Sequence, residues 1–243
     1  VGGAWAGGAL KSCRRFQKLP TCVTIGRMEI EAKFSLPDRA TFDRLLQIEA
    51  LAGCILSPAR LKRVHDRYLD TASGGFLAGG YACRVRVDSA GGRLLTLKSL
   101  TPAQGLLHQR QEFEVSLPAQ VDLDPAAWPA CAATDLASRL GQGQPLTLLL
   151  ELRQERQRRL ATLPEAPSPA VELSIDRISF DAEAGYDLLG VEAELLSGGD
   201  LAALQAIAVE LQQVWGLTPD PISKFEQGLA QARPDLLALM RTR

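Results

Sequence analysis

From Glu29 to Phe34 the chain reads EIEAKF, and charged and apolar residues alternate without a break. Successive side chains of a strand point to opposite faces. Glu29, Glu31 and Lys33 therefore share one face, and Ile30, Ala32 and Phe34 the other. The pattern recurs along the chain. Arg84 and Arg86 oppose Val85 and Val87; Thr96 and Lys98 oppose Leu95 and Leu97. Arg110, Glu112 and Glu114 oppose Phe113 and Val115. Glu172, Ser174 and Asp176 oppose Val171, Leu173 and Ile175, and Glu192 and Glu194 oppose Val191, Ala193 and Leu195. The strands YACRVRV and RLLTLKSL flank DSAGG and predict a hairpin. AVELSIDRISFD and YDLLGVEAELL predict another across AEAG, and LKRVHDRYLD and LHQRQEFEVSL add two more strands.

Helical periodicity appears between and after these strands. PDRATFDRLLQIEALAG predicts a helix started by Pro37 and Asp38 and ended by Gly53. DPAAWPACAATDLASRL is helical in part, interrupted at Pro129. DLAALQAIAVELQQVWG is the clearest helix. Asp200 caps it, Leu204, Ile207, Ala208, Leu211, Val214 and Trp215 form its stripe, and Gly216 closes it. ISKFEQGLAQA predicts a short final helix, whereas LLLELRQERQRRLATL fits helix or strand. Eight strands or so, with helices between and after them, predict one α+β domain on a largely antiparallel sheet or barrel.

Taken singly, each charged face reads as the solvated side of an antiparallel strand. The set reads differently. Like-signed pairs recur at i,i+2: Glu29/Glu31, Arg84/Arg86, Glu112/Glu114 and Glu192/Glu194. Such pairs lie roughly 6.5–7 Å apart on one face and repel unless opposite charge lies between them. A closed barrel of about eight strands has room for one small ligand. With the charged faces inward, Lys33, Arg84, Arg86, Lys98 and Arg110 would line one wall. Glu29, Glu31, Glu112, Glu172, Glu192 and Glu194 would line another. A polyanion would meet the cations, and hard divalent ions would satisfy the carboxylates.

Composition narrows the classes. The 243 residues fit one large domain or two small ones. Aromatic content of 5% argues against a base-stacking nucleic-acid surface, and a net charge of -1 against bulk attraction to DNA or membrane. No apolar run approaches a membrane span. The five cysteines show no metal or redox spacing and imply a reducing compartment, most simply the cytoplasm. GGFLAGG and SGGD lack the Lys-Ser/Thr of a phosphate loop and read as turns. His65 and His108, the two histidines, read as structural or rim residues. Residues 1–27 are Gly-rich and acid-free, and read as a disordered leader or a non-native extension ahead of Met28.

These residues carry a resemblance. EIEAK resembles the N-terminal Glu-x-Glu-x-Lys signature of the CYTH superfamily, the triphosphate tunnel metalloenzymes. YLDT, YACRVR, LTLK, RQEFE, VELSID, VEAELLSG and ISKFEQGL follow in family order, over about residues 28–230, leaving 231–243 as a tail. GLLHQRQEFEV, DLASRL and EAELLSGGD resemble the bacterial inorganic triphosphatases, in which a helical CHAD domain often follows; no counterpart of it is read here. The resemblance implies an eight-stranded antiparallel tunnel with charged interior and helices outside. It implies hydrolysis of inorganic triphosphate, with thiamine triphosphatase, nucleoside triphosphatase or a noncatalytic polyphosphate-binding module as alternatives. Carried over by position, Glu29, Glu31, Glu192 and Glu194 would hold Mg2+ or Mn2+. Lys33, Arg84, Arg86, Lys98, Arg110, Arg156, Arg158 and Lys224 would bind phosphates. Glu112 and Glu172 would place a second metal or the attacking water. The implied partner is a small triphosphate, not nucleic acid or membrane.

Overall fold

The computed structural model describes residues 26–103, 105–119, 123–180 and 187–241. The leader reading therefore lies outside the described residues, save that Gly26 and Arg27 already belong to the first strand. The AEAG turn lies outside them as well.

In chain order the elements are β1 (Gly26–Ser35), α1 (Arg39–Gln47), β2 (Ala50–Leu51), β3 (Cys54–Leu56), β4 (Arg60–Thr71), α2 (Gly75–Ala78), β5 (Tyr81–Asp88), β6 (Arg93–Ser99) and β7 (Leu107–Leu117). They continue with α3 (Ala132–Gly141), β8 (Leu146–Thr162), β9 (Val171–Ser179), β10 (Asp187–Leu195), α4 (Leu201–Gln213), β11 (Thr218–Pro219), α5 (Lys224–Ala232) and α6 (Pro234–Arg241). Eight long strands run β8-β4-β5-β6-β7-β1-β10-β9, every pair antiparallel, and β9 pairs back onto β8 to close a barrel. The expected α+β tunnel is thus the observed fold.

The barrel is built inside out. Its apolar residues point outward and are covered by helices. Ala32, Phe34, Leu173, Ile175, Val191 and Ala193 pack with α1 and α4. Val85, Leu95, Leu97 and Val115 pack with Phe76 of α2 and Ala133, Leu136 and Ala137 of α3. Each buried Val, Leu, Ile or Phe among them contributes about 1.5–3 kcal/mol. The third cluster closes one end: Phe225 of α5 stacks on Tyr68 at 4.8 Å, beside Leu150, Leu152 and Ile178.

Local chemistry sets the element bounds. Asp38 and Asp200 cap α1 and α4 through their side chains, accepting from Thr41 N and Ala202 N at 2.7 and 2.8 Å. Ser223 and Glu226 form a capping box on α5. Helix α1 stops at Gln47 rather than near Gly53, because Ala50–Leu51 pair with Cys54–Ile55 across a tight turn. Ala52 and Gly53 take φ of 49° and 77° there, which no helix continues through. Helix α4 ends at Gln213, so Val214 leaves its stripe and is 76% exposed. Residues 146–162 are strand, not helix. The outer face of β4 and β8 is polar, with Arg63–Glu155 at 2.9 Å and Arg67–Glu151 at 3.1 Å. That explains why β8 carries charge on both faces.

Candidate functional site

The tunnel encloses a cavity of about 120 Å³, far above the roughly 10–15 Å³ that one water needs. Its wall holds Glu29, Glu31, Glu112, Glu114, Glu192 and Glu194. It also holds Arg27, Lys33, Arg84, Arg86, Lys98, Arg110, Arg156 and Lys224. The carboxylates are gathered on one part of the wall, with Arg27, Lys33 and Arg110 among them on the same strands. All six carboxylates come from β7, β1 and β10, which are neighbours. The cations of β5, β6, β8 and α5 face them with no glutamate of their own in the lining.

On the carboxylate side, strand pairing sets Glu31 beside Glu194, and Lys33 beside Glu192. Glu29 is pushed up to about 8, first by burial and then by the Glu31 carboxylate. Glu194 is also raised, by burial and by Glu31 and Glu112, against the pull of Arg27. Glu31 is lowered instead, because Lys98 and Lys33 outweigh its burial. Lys98 bridges Glu29 and Glu31, at 3.5 Å from Glu31 Oε1. Arg27 bridges Glu112 and Glu194 at 3.0 and 2.9 Å.

On the cationic side, buried acids hold the guanidinium groups. Arg86 donates to both oxygens of Asp66, Arg84 approaches Asp66 at 3.6 Å, and Gln154 donates to it at 2.6 Å. Arg156 donates twice to Asp176 and once, at 2.6 Å, to Glu192. Lys224 joins them, 2.6 Å from Asp176 and 3.1 Å from Glu192. Burial would raise Glu192, but Lys224 and Arg156 hold it well below the usual carboxylate range. Arg110 donates to His108 Nδ1 at 2.8 Å, so that nitrogen is the acceptor and Nε2–H donates to Asp220 O at 3.0 Å. Arg84 keeps one buried donor, Nε, without a hydrogen-bond partner among the described residues.

Most of the residues expected from sequence therefore meet in one cavity. Two do not. Arg158 and Glu172 pair with each other and stand outside the cavity lining, with the Arg158 side chain 43% exposed. Three others emerge more clearly than the sequence suggested. Asp176 is 1% exposed and holds Arg156 and Lys224, and Glu114 accepts from Thr96 inside the lining. Asp66 went unnoticed. It is the single charge on the inner run Val64–Asp66–Tyr68, and its alternation with His65 and Arg67 was the available signal.

The glutamates of β1, β7 and β10 offer hard oxygen donors of the kind magnesium and manganese take. The raised Glu29 and Glu194 mark a cluster short of positive charge. The donor set thus fits a divalent cation in chemistry. Among the described residues no three such groups converge on one point, since Arg27 and Lys98 already stand between them.

Residues 27–220 match the family of CYTH domains. Comparison with curated proteins finds no match. Among solved structures, the chain is similar to HpAC1 from Hippeastrum, a proposed adenylyl cyclase with a dominant triphosphatase activity. Identity is 17%, the TM-score 0.63, and the match covers 86% of this chain and 99% of that one. A proposed adenylate cyclase from Bacillus halodurans gives 21% and 0.56, over 84% and 98%. The PH1819 protein of Pyrococcus horikoshii gives 19% and 0.52, over 84% and 99%. At these identities the likeness is one of fold.

Proposed function

The chain belongs to the CYTH family, and from that membership and the site we propose that it is a divalent-metal-dependent triphosphatase that splits inorganic triphosphate into pyrophosphate and phosphate. The observation that carries this reading is the gathering of six glutamates on three neighbouring strands of a cavity that Arg84, Arg86, Lys98, Arg156 and Lys224 line from the other elements. A noncatalytic anion trap has use for the cations alone.

In this reading Arg84, Arg86, Lys98, Arg110, Arg156, Lys33 and Lys224 bind the phosphate chain. Negative charge spreads over the phosphoryl oxygens as the anhydride breaks, and fixed cations stabilise it without rearranging. Asp66 and Asp176 hold the arginines in place beforehand, and His108 does the same for Arg110. The buried, unpaired Nε–H of Arg84 is free for a phosphate oxygen. Glu29, Glu31, Glu192 and Glu194 are the proposed holders of Mg2+ or Mn2+. A bound ion would neutralise phosphate charge and lower the pKa of its water. Glu112 lies in the same cluster and would orient that water. Glu172 pairs with Arg158 and accepts from Ser174, so its proposed part is to position that arginine beside the cavity.

The catalytic unit is proposed to span residues 28–230. Free, buried Cys54 and Cys83 support a reducing, cytoplasmic setting. No helix among the described residues is long and apolar enough to cross a membrane. A panel of tripolyphosphate, ATP and thiamine triphosphate, assayed for phosphate release with Mg2+ or Mn2+, tests the substrate. Tripolyphosphate should be turned over with the highest kcat/KM; a preference for either organic triphosphate would replace the inorganic reading.

A further inference from the structure

Arg27 stands two residues before Glu29 on β1 and lines the same cavity. Its guanidinium reaches both strands that flank β1. Nη2 lies 3.0 Å from Glu112 Oε2 on β7 and 2.9 Å from Glu194 Oε1 on β10, and Nε donates to Glu112 at 3.2 Å. The side chains differ in exposure: Arg27 41%, Glu194 22% and Glu112 3%. The guanidinium is thus the outermost member, lying over acids that crowd the interior.

Resting on the metal reading above, we propose that Arg27 is a tethered counter-cation. It occupies the carboxylate cluster when no divalent ion is bound, and it competes with that ion for Glu194, one of the proposed metal holders, while Glu112 anchors it from the other side. Crowded carboxylates need compensating charge, and a group on the same strand is present at high effective concentration. Arg27 can yield because its exposed side chain returns to water. Lys98 is placed differently. It is more buried, and it holds Glu29 and Glu31 from across the cavity. Displacing one guanidinium costs its charge-assisted hydrogen bonds, so apparent metal affinity is set partly by a residue that touches no metal.

The test is Mn2+ binding to the full chain by isothermal titration calorimetry at low salt and neutral pH, comparing the unaltered protein with R27A, R27Q and R27K. Removing the charge in R27A or R27Q should tighten Mn2+ binding about tenfold, the order of one charged hydrogen-bond pair. R27K, which keeps the charge but loses the fork, should fall between. Without metal, R27A should melt below the unaltered protein, and saturating Mn2+ should close the gap. R63A, which breaks an outer-face pair with Glu155, should leave the Mn2+ affinity unchanged. Equal or weaker Mn2+ binding in both R27A and R27Q overturns the proposal and leaves the metal reading standing. No Mn2+ binding to any of the proteins overturns the metal reading and this inference with it.

Discussion

Arg86 grips Asp66 with both prongs of its guanidinium, at 2.6 and 2.7 Å, and Asp66 has no exposed surface. The pair is the keystone of the cationic wall, since Arg84 and Gln154 lean on the same carboxylate. Removing one partner of a buried ion pair leaves an uncompensated charge. D66N should therefore cost about 3–5 kcal/mol in chemical denaturation. It should also weaken phosphate binding, because Arg84 and Arg86 lose their anchor. A loss under 1 kcal/mol would place the stability of this wall elsewhere.

Acid should remove two stabilising contributions in separate pH ranges, while protonation of Glu29, raised to about 8, works the other way between 8 and 4.5. Burial, Lys33 and Arg110 hold His108 down to about 4. Its folded pKa lies below the unfolded value near 6.5. Its contribution is complete above that value and is lost as pH falls towards 4. Asp66 is held to about 2 despite its burial, by Arg86 and Arg84. Its contribution is complete above the unfolded value of 3.8 and is lost below it. Denaturation midpoints measured across this range should show the upper loss disappear in H108N, whose amide accepts from Arg110 without titrating, while the lower loss remains.

Arg156 and Arg158 sit two residues apart on one strand yet should behave differently. Arg156 lies in the cavity between Asp176 and Glu192, whereas Arg158 stands outside its lining, paired with Glu172. R156A should lower kcat by about 100-fold or more, the effect of deleting one preorganised donor. R158A should change it less than about fivefold, as for a surface pair. Steady-state kinetics on tripolyphosphate separates the two, and equal losses would mean that substrate reaches Arg158.

Helix α5 should act as a fitted stopper. Phe225 is 3% exposed and stacks on Tyr68. F225A should cost about 3–5 kcal/mol and raise KM as Lys224 loses its place. An unchanged KM would mean that the ion pairs to Asp176 and Glu192 hold Lys224 without the Phe225 anchor.

How far the sequence led depends on how cleanly each strand alternated. EIEAKF, RVRV, RQEFEV and VEAEL each carried charge on one face only, because the other face packs under helices. Together they disclosed the tunnel and most of its lining. RQERQRR hid its state because β8 is wet on its outer face as well as charged within. Asp66 hid because Val64 and Tyr68 flank it, so its face shows one charge and no like-signed i,i+2 pair. Arg158 and Glu172 matched the pattern in sequence, but their mutual ion pair keeps them outside the cavity lining. The role of Arg27 was illegible, since it rests on two partners 85 and 167 positions away that only the pairing of β7 and β10 onto β1 brings beside it.

The central claim is catalysis by the glutamate side of the cavity rather than anion binding by its cations. Phosphate release from tripolyphosphate, measured with and without Mg2+ or Mn2+ beside tripolyphosphate binding, tests it in the unaltered protein and in E29Q. The unaltered protein should release phosphate only with metal, and E29Q should keep binding while losing about 100-fold or more of turnover. Tight tripolyphosphate binding with no phosphate release at any metal concentration would contradict it.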